Sequence, residues 1–84
     1  MVRILFFASF REQLNTRQME LELTTAPCTV SDLISRLITA GGDSWRRVLE
    51  GDNLVIAVNQ SVCTRQQSVC DGDEVAFYPP VTGG

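Results

Sequence analysis

The sequence predicts an α+β fold: a mixed β-sheet with one main helix packed across one face and an extended C-terminal tail. Three observations predict it. Strand-like runs stand near both ends of a chain of 84 residues. A well-capped amphipathic helix lies between them. After the last strand comes a proline pair that a sheet ladder cannot absorb, because proline has no N–H to donate.

Each element has its own signature. Residues 2–8 (VRILFFA) are dense in β-branched and aromatic side chains, as in a buried strand. The same run resembles a signal-peptide core, but Arg3 breaks it, Arg11 and Glu12 follow, and no small-residue cleavage site appears. We read it as the first strand. Residues 9–16 are polar and short, a turn or a single helical turn. Residues 17–24 alternate: Met19, Leu21 and Leu23 on one side, Glu20, Glu22 and Thr24 on the other. That period of two predicts a strand with one buried face. Pro27 breaks the pattern.

Thr29 and Asp32 then form a T-x-x-D capping box. The Thr29 hydroxyl accepts from the Asp32 N–H, and the Asp32 carboxylate sits at the positive end of the helix dipole. Val30, Leu33, Ile34, Leu37 and Ile38 follow at helical spacing as one apolar stripe, and Gly41-Gly42 ends the helix. A second, shorter helix is predicted over Ser44 to Glu50, with Trp45, Val48 and Leu49 inward and Gly51 as its stop. Asp52-Asn53 makes a turn. Residues 54–59 are a strand, 60–67 are irregular with a short edge strand near Val62, Asp71-Gly72-Asp73 is a tight turn, and 74–78 are the last strand. The order is that of a β-grasp, the ubiquitin-like arrangement, in which the first and last strands lie parallel at the centre of the sheet. The expected organisation is a domain over residues 1–78 and a tail over 79–84.

Alternation assigns the faces. Ile4, Phe6, Val75 and Phe77 point to the helix. Arg3, Leu5, Phe7, Glu74, Ala76 and Tyr78 point outward. Such an outer face is either a docking site for a protein or the seat of the irregular 60–67 segment.

Composition narrows the chemistry. The net charge is −3, all seven cations are arginines, and the one basic pair, Arg46-Arg47, is flanked by Asp43 and Glu50. Nucleic-acid binders carry a basic stripe, so none is expected here. No run approaches the ~20 apolar residues of a membrane span, and a cytoplasmic location is expected. Cys28, Cys63 and Cys70 are odd in number and form no C-x-x-C pair, and there is no histidine. They read as small apolar residues, and no metal site is expected. With no histidine, no lysine and no phosphate-binding G-x-x-x-x-G-K-[ST] loop, the chain must leave nucleotide binding and proton transfer to partners.

The end of the chain is its most specific feature. Pro79-Pro80 launches a stiff, extended segment. Val81 and Thr82 follow, and then Gly83-Gly84. Glycine lacks a Cβ, so its backbone fits a passage too narrow for a side chain. Such a tail suits modification of its carboxylate in another protein's active site.

On the opening VRILFFASFRE, the central LVIAVNQ and the closing DGDEVAFYPPVTGG, the chain resembles the small, sulfur-carrying subunits of molybdopterin synthase, the MoaD family. The resemblance runs over nearly the whole length. It implies a non-catalytic, sulfur-donating subunit with no stably bound cofactor. An E1-like activating enzyme would use ATP to adenylate Gly84, next to Gly83. A persulfide donor would then supply sulfur to give a C-terminal thiocarboxylate. The large synthase subunit would bind the outer face, with Phe7, Val62 and Tyr78 at apolar interface positions. The tail, Pro79, Pro80, Val81 and Thr82 included, would thread into its pocket. There sulfur would pass to cyclic pyranopterin monophosphate in a heterotetramer of two large and two small subunits. Two other roles share the tail chemistry: a sulfur carrier for thiamine or tRNA thiolation, and a ubiquitin-like protein modifier.

Overall fold

A computed structural model describes residues 1–23, 28–51 and 54–80. The Pro27 break, the Asp52-Asn53 turn and the segment Val81–Gly84 lie outside the described residues. The elements run β1 (Val2–Phe6), α1 (Ser9–Leu14), β2 (Gln18–Leu21), β3 (Cys28–Thr29), α2 (Val30–Gly41), α3 (Asp43–Leu49), β4 (Val55–Val58), β5 (Ser61–Cys63), β6 (Ser68–Val69) and β7 (Glu74–Tyr78). The main sheet has the order β2-β1-β7-β4-β5. Strands β1 and β7 are parallel neighbours at its centre, with Ile4 beside Val75 and Phe6 beside Phe77. The other three pairings are antiparallel. This is a β-grasp fold.

The inner face of the sheet makes the core. Val2, Ile4 and Phe6 of β1, Ile56 and Val58 of β4, and Val75 and Phe77 of β7 are buried against Val30, Leu33, Ile34 and Leu37 of α2. Phe6 stacks on Phe77 at 5.8 Å between ring centroids, and Trp45 of α3 meets Phe6 edge-on at 5.3 Å. Such aromatic pairs add about 0.5–1.5 kcal/mol beyond the area they bury. Phe10 and Leu14 of α1 close one end of this core.

The helix termini follow the sequence closely. The Asp32 N–H donates to Thr29 Oγ1 at 3.2 Å, and the Thr29 N–H donates to Asp32 Oδ2 at 2.9 Å, completing the capping box. Gly42 serves two helices at once. Its N–H donates to the Ile38 carbonyl at 2.8 Å, and its carbonyl accepts from the Arg46 N–H at 3.1 Å. Its φ of +81° and ψ of −157° lie in a region open essentially to glycine alone.

The 60–67 segment is more ordered than the sequence implies. Asn59 and Gln60 both have positive φ and form a two-residue hairpin loop between β4 and β5. The Asn59 side chain fixes this loop: it accepts from the Glu74 N–H and donates to Asp73, both at 3.0 Å. Beyond β5, the carbonyls of Arg65 and Gln67 accept from the N–H groups of Ser31 and Val30 at the start of α2. The segment therefore runs to the helix side of the molecule and leaves the outer face open. Strand β6 pairs with β3 in a second, two-stranded sheet that the sequence did not predict. At the far end, the Met1 ammonium pairs with Asp71 and holds that carboxyl below its ordinary value, through the hydrogen bond first and the charge second. Among the described residues, no helix is long and apolar enough to cross a membrane.

Candidate docking face and tail

Register builds the outer face from the strands upward. Val62 of β5 lies opposite Ala57 of β4, Ala57 opposite Ala76 of β7, Ala76 beside Leu5 of β1, and Leu5 opposite Gln18 of β2. One row of small and apolar side chains thus crosses β5, β4, β7 and β1 and ends at the polar Gln18 of β2. The next row toward the tail holds Phe7, Tyr78 and Val55. Tyr78 pairs with Val55, and the Phe7 and Tyr78 rings stack at 4.6 Å and 7°. On the other side of the apolar row, Arg3 and Glu74 face each other at 4.0 Å as a polar margin.

Exposure separates the members. Val62 is 78% exposed and Phe7 37%, the large apolar residues that stand furthest out on this face. Leu5, Val55 and Tyr78 are half-buried. Ala76, assigned outward by alternation, does lie in the outer row but is buried. Its short side chain sits between Leu5 and Ala57 on the two flanking strands, which shield it. The face is therefore a shallow apolar strip with projections at Val62 and at the Phe7–Tyr78 stack. Sequence reasoning missed Val55 and Ala57. The signal for Ala57 was available: Asn59 suits a positive-φ turn position, and a hairpin there places Val62 against Ala57.

Phe7 is held from both sides. Its N–H donates to the Phe77 carbonyl at 3.2 Å, extending the parallel ladder by one residue. The next residue, Ala8, turns the chain sharply into α1 with φ 55° and ψ −133°. The tail leaves from the same end of the sheet. Strand β7 ends at Tyr78, Pro79 is half-buried and Pro80 is exposed. Pro80 borders a depression of about 220 Å³ formed with Phe10, Gln13, Arg47, Val48, Gly51 and Leu54. The predicted residues Val81, Thr82, Gly83 and Gly84 lie outside the described residues.

The cysteines stand apart from this face. Cys28 is buried, and burial, with Asp32 nearby, pushes its thiol up. Burial also pushes up the half-buried Cys63 thiol. Cys70 is exposed, which corrects its reading as a packing residue. Thiols held protonated are poor nucleophiles, since the thiolate is the reactive form. Among the described residues, no three acidic or cysteine side chains cluster as a metal site would require.

A central parallel strand pair, a helix across the inner face, an open apolar outer face and a proline-launched tail define a ubiquitin-like β-grasp protein. The chain is 39% identical to the molybdopterin synthase sulfur carrier subunit of Escherichia coli and 37% identical to that of Haemophilus influenzae, covering both chains fully in each case. The crystal structure of SAMP1 from Haloferax volcanii, a small archaeal modifier protein, superposes with a TM-score of 0.79 at 26% identity, covering 99% of this chain and 98% of that one. The chain belongs to the ThiS family, whose model matches residues 4–84, and within it to the molybdopterin synthase sulfur carrier subunits.

Proposed function

We propose that this chain carries sulfur to molybdopterin as a thiocarboxylate on Gly84, and that it does so as the small subunit of a molybdopterin synthase. The observation that carries this reading is the full-length match to sulfur carrier subunits, on a fold that sends its tail from the edge of an open apolar face.

The steps follow from the chemistry of a carboxylate. A carboxylate is a poor acyl electrophile. An E1-like enzyme converts Gly84 to an acyl adenylate with ATP, releasing pyrophosphate. The outer sulfur of a persulfide donor displaces AMP to give an acyl disulfide. A second thiol of the activating machinery then forms a disulfide with the donor cysteine and releases the thiocarboxylate, anionic and nucleophilic at sulfur. The large subunit then covers the strip of Phe7, Tyr78 and Val62. Pro79 and Pro80 direct the tail outward, and Val81, Thr82, Gly83 and Gly84 enter the large subunit's site. There each thiocarboxylate attaches its sulfur to cyclic pyranopterin monophosphate, and water cleaves the acyl–sulfur bond and restores the Gly84 carboxylate. Two loaded chains complete one dithiolene, in a heterotetramer of two large and two small subunits. The chain binds no cofactor of its own. Its lack of lysine and histidine and its protonated buried thiols support a carrier that relies on partners for catalysis.

Intact mass spectrometry tests this. After incubation with the activating enzyme, ATP and a sulfur donor, the mass should change by the replacement of one oxygen by sulfur, and deletion of Gly84 should abolish the change. An unchanged mass with a matched, active enzyme would refute the reading. The likeness to the Haloferax modifier favours a second one, conjugation through Gly84 to lysines of other proteins. A ladder of heavier, Gly84-dependent adducts in cell extracts would establish it.

A further inference from the structure

We propose that the docking face has a carboxylate-binding notch at its β2 edge, formed by Arg11 and Arg17, and that this notch takes an acidic side chain of the large synthase subunit. The proposal rests on the docking reading above and adds what the partner must present there.

The notch is a recess of about 490 Å³. Leu5 and Phe7, on either side of core-facing Phe6, supply its apolar part, and Arg11, Arg17 and Gln18 supply polar walls. It is continuous with the docking strip, because Leu5 and Phe7 belong to both. Arg11 comes from α1 and Arg17 from the residue before β2, so the turn at Asn15 brings the two arginines to line one recess.

Their lack of internal partners is informative. The chain has ten acidic residues and seven arginines. Arg3 and Arg46 pair with Glu74 and Glu50 at 4.0 and 3.8 Å. Arg36 and Arg65 donate to the carbonyls of Glu22 and Gly51 at 2.9 and 2.8 Å. Among the described residues, Arg11 and Arg17 have neither kind of partner, although acids outnumber bases. Arg47 is also without one, but it lines the separate depression beside Pro80. Two cations around one recess, at the rim of an apolar strip, leave the site charged and open.

Docking makes that charge decisive. A partner that covers Leu5 and Phe7 also removes water from both guanidinium groups. An apolar or basic surface would leave two desolvated, uncompensated charges, which is strongly unfavourable. A carboxylate restores the lost hydrogen bonds in the planar, two-pronged geometry that arginine favours. The notch therefore selects partners by charge and sets the register of docking, while the apolar strip supplies contact area.

The test measures binding of the full chain to its cognate large subunit, with Kd and association rate followed at low and high salt and melting temperature in parallel. The double variant Arg11→Gln/Arg17→Gln should bind roughly tenfold more weakly, with a flattened salt dependence. The reversal Arg17→Glu should bind more weakly still. Both should melt as the parent does, because both side chains are exposed. Unchanged affinity and salt dependence in the double variant, with Val62→Ala still weakening the complex, would overturn the notch and leave the docking face standing. If Val62→Ala also has no effect, the docking reading fails and the notch with it. A fall in melting temperature in the glutamine variant would make these arginines packing residues and overturn the proposal.

Discussion

Truncating Val62 to alanine tests the docking face where fold and function separate most cleanly. Val62 lies on the short edge strand β5, points to the outer face and is 78% exposed. Full burial of a valine side chain is worth roughly 1.5–3 kcal/mol relative to exposure. With most of that surface still in water, a covering partner gains about 1–2 kcal/mol at this position. Val62→Ala forfeits most of it, a weakening of about five- to thirtyfold in Kd. The same change removes almost no contact within the domain, so stability should stay within ~0.5 kcal/mol. Isothermal titration calorimetry against the cognate large subunit reads the first quantity, and thermal melting reads the second. An unchanged Kd would mean that the strip ending at Val62 is not the contact surface. A fall of several degrees in melting temperature would mean that Val62 supports the sheet.

Four further predictions concern the fold and its thiols. Gly42→Ala should destabilise the domain by about 1–3 kcal/mol, read by chemical denaturation. An added Cβ at Gly42 meets nothing within 4 Å, so a loss of that size would come from the backbone angles alone. Gln60→Gly should raise the melting temperature by a few degrees. The φ of 71° costs a side-chain-bearing residue about 1–2 kcal/mol, and greater freedom of the unfolded chain returns only part of that gain. A lower melting temperature would show that the Gln60 side chain itself holds the hairpin. Timed alkylation near neutral pH, mapped by mass spectrometry, should label exposed Cys70 before Cys63, and Cys28 last. Because burial raises Cys28 and Cys63 above an unfolded thiol, their contribution to stability is fully present below the unfolded value of about 8.5. It is lost as pH rises through the folded values, so urea midpoints should fall in the alkaline range and fall less in Cys28→Ala.

What the sequence disclosed depended on how local the deciding interactions are. The capping box at Thr29 and Asp32 is three residues wide, and the structure contains it as read. The inner residues of β1 and β7 followed from alternation alone, because each strand is long enough to show a period. The β3–β6 pair was invisible for the opposite reason. Each strand has two residues, too few to alternate, and Cys28 meets Val69 across 41 positions of sequence. The Asn59–Gln60 turn was obscured because glutamine stands where glycine would announce the hairpin. Alternation placed Phe7 and Tyr78 on the candidate face, whereas Val62 was assigned to it only through the family resemblance. Ala76 was misjudged, because only the neighbouring strands decide whether a small outward residue still meets water. Arg11 and Arg17 could not be joined in advance, since their meeting depends on the turn after α1 and the register of β2 on β1.

In the proposed function, with sulfur delivered on Gly84, docking and delivery are linked by the central strand pair. Strands β1 and β7 end together, with Phe7 beside Tyr78, and the tail leaves two residues later. The four residues after Pro80 can span at most about 14 Å when fully extended. That reach is close to the 12.0 Å radius of gyration of the whole domain, so the tail cannot search far for an active site. The site must lie within that distance of Pro80 once the domain is seated. In the proposed complex the Phe7–Tyr78 stack would do this seating a few residues from the launch point, on strands whose inner residues are locked in the core. A face at the Met1–Asp71 end would leave the length of the domain between contact and carboxylate, and a tail this short could not bridge it. The position of the apolar strip is therefore a condition for a short tail to work, and the parallel pairing of the first and last strands meets that condition.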